Sequence, residues 1–178
     1  MGYKHTKDEI LDAALEAAFD DGLSQLTFGR LAKRLGISDR VIVYYFPTKE
    51  DLIGDVVVAL GMRLQAALAE AFTSPAADYN GLVRAAWPVL ACPEMDPIFA
   101  LFFEANGLAA IGREPYVTLV PGLVEMWIDW VAQFIKGTPA RRMAESEAAI
   151  AVIDGLLLLR QLGGQASANR AARTLGVA

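Results

Sequence analysis

The stretch from Thr27 to Ile53 constrains the fold of this 178-residue chain more than any other part of it. Phe28, Leu31, Ala32 and Leu35 recur at helical spacing and predict one apolar helical face. Gly36 follows at once, and glycine tolerates the left-handed backbone that commonly closes a helix. Ser38 then stands where a hydroxyl accepts the amide of a new first turn, which predicts a second short helix through Val41, Ile42 and Tyr45. Two helices crossing steeply need a small residue where the backbones touch, a glycine at the corner and apolar plugs on either side. Ala32, Gly36 and Ile42 meet those needs, so the pattern is a helix-turn-helix.

The rest of the chain continues in helices, with strand signals nearly absent. Thr6 and Glu9 form a capping box for a helix to about Asp21, with Leu11, Ala14, Leu15, Ala18 and Phe19 on one face. Thr48 caps a long helix whose apolar positions, among them Leu52, Val56, Leu60, Leu64 and Leu68, run to about Phe72 before Ser74-Pro75 stops it. Asp78 opens a helix to about Leu90, with Pro88 disturbing its last turn. Asp96-Pro97 reads as an N-cap acid followed by proline, starting a helix that ends near Gly112. Pro115 opens the next, bent at Pro121 and running to Lys136. Thr138-Pro139 starts another, which ends at Gly163-Gly164, and a short helix from Ser167 to Leu175 completes nine. The expected fold class is therefore all-α.

Composition narrows the setting. The chain is 54% hydrophobic but has no unbroken apolar run of eighteen residues, which predicts no membrane-spanning helix and sends the apolar excess into a core, an interface or a cavity. Cys92 is the single cysteine, so no intramolecular disulfide forms and a reducing cytoplasm is the natural home. Gly2 followed by Thr6 matches an N-acylation pattern, though Thr6 also serves the capping box, and no apolar leader follows Met1. The net charge is -5, yet Thr27 to Lys49 holds five basic residues against Asp39 alone, a local +4. A cationic zone on an acidic body steers DNA to one surface, although Lys33 and Arg34 by themselves would suit the wet face of any amphipathic helix. Chemistry is poorly provided for. His5 is the only histidine, Cys92 has none near it in sequence, and no metal-ligand spacing, phosphate loop or nucleophile elbow occurs. An enzyme, a cofactor and a metal are not expected.

After the helix-turn-helix comes Tyr44-Tyr45-Phe46-Pro47-Thr48-Lys49-Glu50-Asp51-Leu52, and with it the first fifty-five or so residues resemble the tetracycline-repressor (TetR) family of bacterial transcription regulators. The resemblance implies a DNA-binding domain over residues 1–47 and a ligand-binding and dimerisation domain over residues 48–178. It further implies a homodimeric repressor on a pseudo-palindromic double-stranded operator, released by a small apolar effector, in the cytoplasm. Carried over by position, Thr27 and Arg30 lie near phosphate at the start of the positioning helix. Ser38, Asp39, Arg40 and Val41 face base edges, and Lys49 meets a phosphate. Where the family commonly has a tyrosine this chain has Val43, and Tyr44, about 100° further round the helix, is the alternative phosphate donor. Arg40 suits guanine O6 and N7, and Val41 suits a thymine methyl. Asp39 either accepts from cytosine N4 or caps the helix.

Two further groups stand out downstream. Trp87, Phe99, Phe102, Phe103, Met126, Trp127 and Trp130 either line an effector pocket, with Glu104, Asn106, Asp129 or Gln133 as its polar groups, or form ordinary core. Ile150, Asp154, Leu157, Leu158 and Gln161 share helical spacing on a helix apolar around most of its circumference, covered either by a two-fold partner or within the monomer. Two other functions remain open: a helical interaction protein whose helix-turn-helix packs on protein, and a ligand-independent DNA-binding regulator.

Overall fold

A computed structural model describes residues 5–178, so Gly2 and the acylation pattern lie outside the described residues. Among the described residues nine α-helices follow one another: α1 (Lys7–Asp21), α2 (Phe28–Leu35), α3 (Asp39–Tyr45), α4 (Lys49–Ala69), α5 (Tyr79–Leu90), α6 (Asp96–Ala110), α7 (Tyr116–Ala132), α8 (Pro139–Gly163) and α9 (Gln165–Thr174). Short 3-10 turns at Leu23–Gln25 and Pro93–Met95 were not foreseen. Among the described residues the only β pairing is a single parallel bridge between Ala76 and Ile135, and the fold class is all-α. The chain forms two compact units, one made of the described residues to Arg63 with Leu101–Val120, the other of Leu64–Ala100 with Pro121–Ala178. Helices α4, α6 and α7 each pass from one unit to the other.

In the first unit, local signals act as the residue types dictate. The Thr6 hydroxyl accepts from the Glu9 amide at 3.2 Å while Glu9 accepts from the Thr6 amide at 2.8 Å, which closes the capping box. Gly36 ends α2 at φ +65°, the left-handed conformation that favours glycine. Thr48 and Asp51 make a second reciprocal cap at the start of α4, with the Thr48 hydroxyl accepting from the Asp51 amide at 3.0 Å. The buried residues include Ile10, Ala14, Leu15, Ala18, Leu23, Leu31, Ala32, Ile42, Phe46, Leu52, Ile53 and Val56. The buried face of α1 is thus rotated from the expected one: Ile10 joins Ala14, Leu15 and Ala18 in the core, while Leu11 and Phe19 are half-buried. His5 is held as well, its carbonyl accepting from the Tyr45 hydroxyl at 3.1 Å.

The expectation that no helix is apolar enough to span a membrane is corrected for α4, which is long and apolar enough by length and composition. Scattered single charges defeat a count of unbroken runs. Two of those charges are paired with residues of α1 inside the unit, Asp55 with Lys7 at 2.6 Å and Arg63 with Asp12 at 3.5 Å. The Lys7 ammonium also sits 5.2 Å from the Phe46 ring centroid.

In the second unit, α8 packs against both α5 and α9. Thr138 caps α8 and Pro139 occupies its first position as expected, and Gly164 closes it. Asp96 departs from its expected role. The preceding 3-10 turn places it inside α6 with helical φ and ψ, and its carboxylate takes two bonds from Arg160, at 2.7 and 2.9 Å, in place of a cap. Helix α7 ends at Ala132, short of the predicted Lys136, because the next residues pair with Ala76: its amide donates to the Phe134 carbonyl at 2.7 Å, and its carbonyl accepts from the Lys136 amide at 2.9 Å. Helix α4 likewise ends at Ala69, before Phe72. The last helix begins two residues early, at Gln165, directly on the Gly164 closure.

Candidate nucleic-acid interface

The outward side of α2 and α3 gathers the residues expected to meet DNA. Thr27 is exposed and its hydroxyl accepts from the Arg30 amide at 3.3 Å, so the side chain that starts α2 also sits at its open end. Arg30 is exposed, with Nη1 donating to the Gln25 carbonyl at 3.4 Å. Ser38 caps α3 by accepting from the Arg40 amide at 3.2 Å, which leaves Asp39 as the first helical residue. Ser38, Asp39 and Arg40 are all exposed, and Val41 and Lys49 are partly so. Ile42 on the opposite side of α3 is fully buried, and α3 packs against α2.

Two features of this surface refine the sequence reading. Tyr44 is 64% exposed and meets Tyr45 edge to face at 5.0 Å, while Val43 beside it is 42% exposed. Val43 and Tyr44 thus stand on the solvent side of α3 and take no part in its buried face. Arg34, counted within the cationic zone, donates to Asp20 at 2.6 Å, so part of its charge is answered within the domain. Lys33 and Arg40 stay exposed. The surface therefore carries exposed cations and hydroxyls on α2 and at the start of α3, followed along α3 by the partly or fully exposed Val41, Val43 and Tyr44.

The other expected groups fall apart by environment. Trp87 and Phe99 are buried in the second unit, where Trp127 and Trp130 are half-buried and Met126 is exposed. Phe102 and Phe103 belong to the first unit, edge to face at 5.4 Å. In the second unit Trp130 meets Trp127 at 5.3 Å, Phe134 at 4.9 Å and Phe72 at 5.9 Å, an aromatic cluster that includes a ring, Phe72, not singled out in the sequence. Glu104 accepts from the Leu23 and Ser24 amides at 2.8 and 2.9 Å, which corrects its expected place as a pocket group. On α8, Leu157 is fully buried, and Gln161 donates to the Asp96 carbonyl at 2.8 Å. Ile150 and Asp154 are half-buried, with burial pushing the Asp154 carboxyl up to about 6. Leu158 is exposed, together with Met143, Leu159 and Leu162.

The comparisons with known proteins agree with this geometry. Residues 10–56, the span from α1 into α4, match the profile of the bacterial regulatory proteins of the tetR family. The chain is similar to the HTH-type transcriptional regulator BetI of Burkholderia thailandensis, 26% identical over 174 residues, covering 94% of this chain and 87% of that one. It is similar also to BetI of Paraburkholderia phymatum, 29% identical over 176 residues with the same coverage. Among solved structures, a TetR transcriptional regulator from Legionella pneumophila shares the fold with a TM-score of 0.66 at 20% identity, over 98% of this chain and 97% of that one. A Saccharomonospora viridis chain described as a transcriptional regulator, solved in complex with choline, does so with a TM-score of 0.66 at 18% identity, over 96% and 93%. With its capped first helix, glycine-cornered helix pair and exposed cationic face, the segment from α1 into α4 is similar to the DNA-binding part of the tetR-family bacterial regulatory proteins, and the chain as a whole is similar to HTH-type transcriptional regulators.

Proposed function

We propose that this chain is a homodimeric, ligand-responsive repressor that binds a pseudo-palindromic operator in the cytoplasm and leaves it when a small effector binds. Residues 1–47 read DNA, and residues 48–178 hold the effector and the dimer contact. The observation that carries the reading is the exposure of Arg40, Val43 and Tyr44 on a helix whose opposite side, at Ile42, is locked into the core. Thr27, Arg30, Tyr44 and Lys49 contact phosphate, while Ser38, Asp39, Arg40 and Val41 face base edges.

A two-fold partner supplies the second recognition helix, and the exposed stripe of Ala151, Gly155, Leu158 and Leu162 on α8 is the surface that would accept it. For the effector, the Phe72, Trp127, Trp130 and Phe134 cluster favours a compound with apolar surface, and a quaternary ammonium would gain cation–π attraction there. Choline, bound in the Saccharomonospora structure, is the first compound to try. Selection of duplexes from random DNA, followed by release assays with choline and a panel of apolar compounds, tests the reading. Recovery of a two-fold sequence released by one of them supports it. Release by none makes the chain a ligand-independent regulator, and no salt-sensitive binding to any duplex makes it a protein-interaction module.

A further inference from the structure

Glu104 is the one acid in the Leu101–Ala110 part of α6, and it reaches eighty residues back along the chain. Its Oε2 accepts from the Leu23 amide at 2.8 Å and its Oε1 from the Ser24 amide at 2.9 Å. Those amides open the 3-10 turn between α1 and α2, whose own N-cap, Gly22, offers no side chain to satisfy them. A carboxylate on two backbone amides is a strong, charge-assisted arrangement. Gly22 leaves room for it: at φ +88° a Cβ would lie 3.0 Å from Oε2 and 3.3 Å from Oε1, so only glycine suits both backbone and space.

The turn held in this way supports the positioning helix. Leu23 and Leu26 on either side of it are buried, and Arg30 of α2 donates to the Gln25 carbonyl within it. Tyr116, in the same unit at the start of α7, is buried and its hydroxyl has no hydrogen-bond partner among the described residues. An orphaned buried hydroxyl is costly, so a state that gives it an acceptor is favoured by that amount. Burial and the nearby Glu104 carboxylate push this phenol up to about 12, which keeps it a proton donor at every ordinary pH.

We propose that Glu104 is a positioning residue for DNA binding, a latch with two seats: on the Leu23 and Ser24 amides it holds α2 ready for DNA, and on the Tyr116 hydroxyl it releases the turn and α2 with it. The inference rests on the DNA-binding role of α2 and α3. It places a control point on α6, apart from any motion of α4.

Amide hydrogen exchange in the full-length protein tests the latch, read at Leu23 and Ser24 relative to Ala18 in α1. Glu104→Ala speeds exchange at both amides by on the order of tenfold relative to Ala18, and weakens binding to the duplex that the wild-type protein selects from random DNA. Glu104→Gln, which keeps one acceptor oxygen and the side-chain shape, falls between and carries the test if the alanine variant does not fold. Tyr116→Phe slows exchange at Leu23 and Ser24 and tightens DNA binding, but changes neither in a Glu104→Gln background beyond what Gln alone does. Unchanged relative exchange in both Glu104 variants overturns the proposal, as does a Tyr116→Phe effect of equal size with and without the carboxylate. If the wild-type protein selects no duplex the DNA-binding role itself fails, and the exchange measurements still decide whether the latch exists.

Discussion

Arg40 and Lys49 are proposed for the two kinds of contact a DNA reader needs, and they should fail differently. Arg40 projects from the exposed first turn of α3, where a guanidinium can pair with guanine, so Arg40→Ala should lose about 1–3 kcal/mol of preference at one operator position. Lys49 begins α4 and is the proposed phosphate contact, so Lys49→Ala should weaken all sequences alike and flatten the salt dependence by about one ion. Gel shifts on a mutated operator series across salt concentrations separate the two, and the reverse pattern would remove both assignments. Asp154 makes a different residue-scale prediction. Burial raises its carboxyl to about 6, so between about pH 4 and 6 the folded chain binds more protons than the unfolded one. Stability therefore falls as pH rises through that window and stays lower above it. Asp154→Asn should flatten this slope and add about 2 kcal/mol at pH 7.5, measured by denaturant midpoints at pH 4.5 and 7.5.

At the scale of elements, caps were legible and partners were not. Thr6, Gly36, Ser38, Asp78 and Thr138 each act within a turn of their own position, so residue type alone located them. Asp96 had the same local signature, yet α8 carries Arg160 to it, and a buried guanidinium outcompetes a cap. With the Arg160 side chain 5% exposed and that of Asp96 40%, Asp96→Ala should cost about 2–3 kcal/mol in thermal or denaturant unfolding, less than a fully buried pair. The end of α7 was illegible for a similar reason: its last predicted turn pairs instead with Ala76, some sixty residues earlier. Gly36→Ala should destabilise by about 1 kcal/mol or more, since φ +65° disfavours any side chain, and DNA affinity should fall with the corner it closes.

The whole molecule adds what neither scale holds. Leu162 is 81% exposed on α8 and Leu158 42%, apolar surface that a second copy of the chain would cover. Leu158→Glu with Leu162→Glu should shift the protein from dimer to monomer in sedimentation at micromolar concentration, and operator affinity should fall by more than tenfold as one recognition helix is lost. A dimer unaffected by both charges would place the interface elsewhere.

By itself the sequence determined the all-α class, the capped helix starts at Thr6, Ser38, Thr48, Asp78 and Thr138, the glycine corner and the cationic face of α2 and α3, because capping, periodicity and charge act within a few residues. Only the tertiary structure decided which side of α1 faces inward, that Phe72 joins the tryptophans, that Asp96 serves Arg160, and that Glu104 closes the turn before α2. Each of these joins residues far apart along the chain, and no local pattern encodes which of many carboxylates or rings a distant backbone will meet.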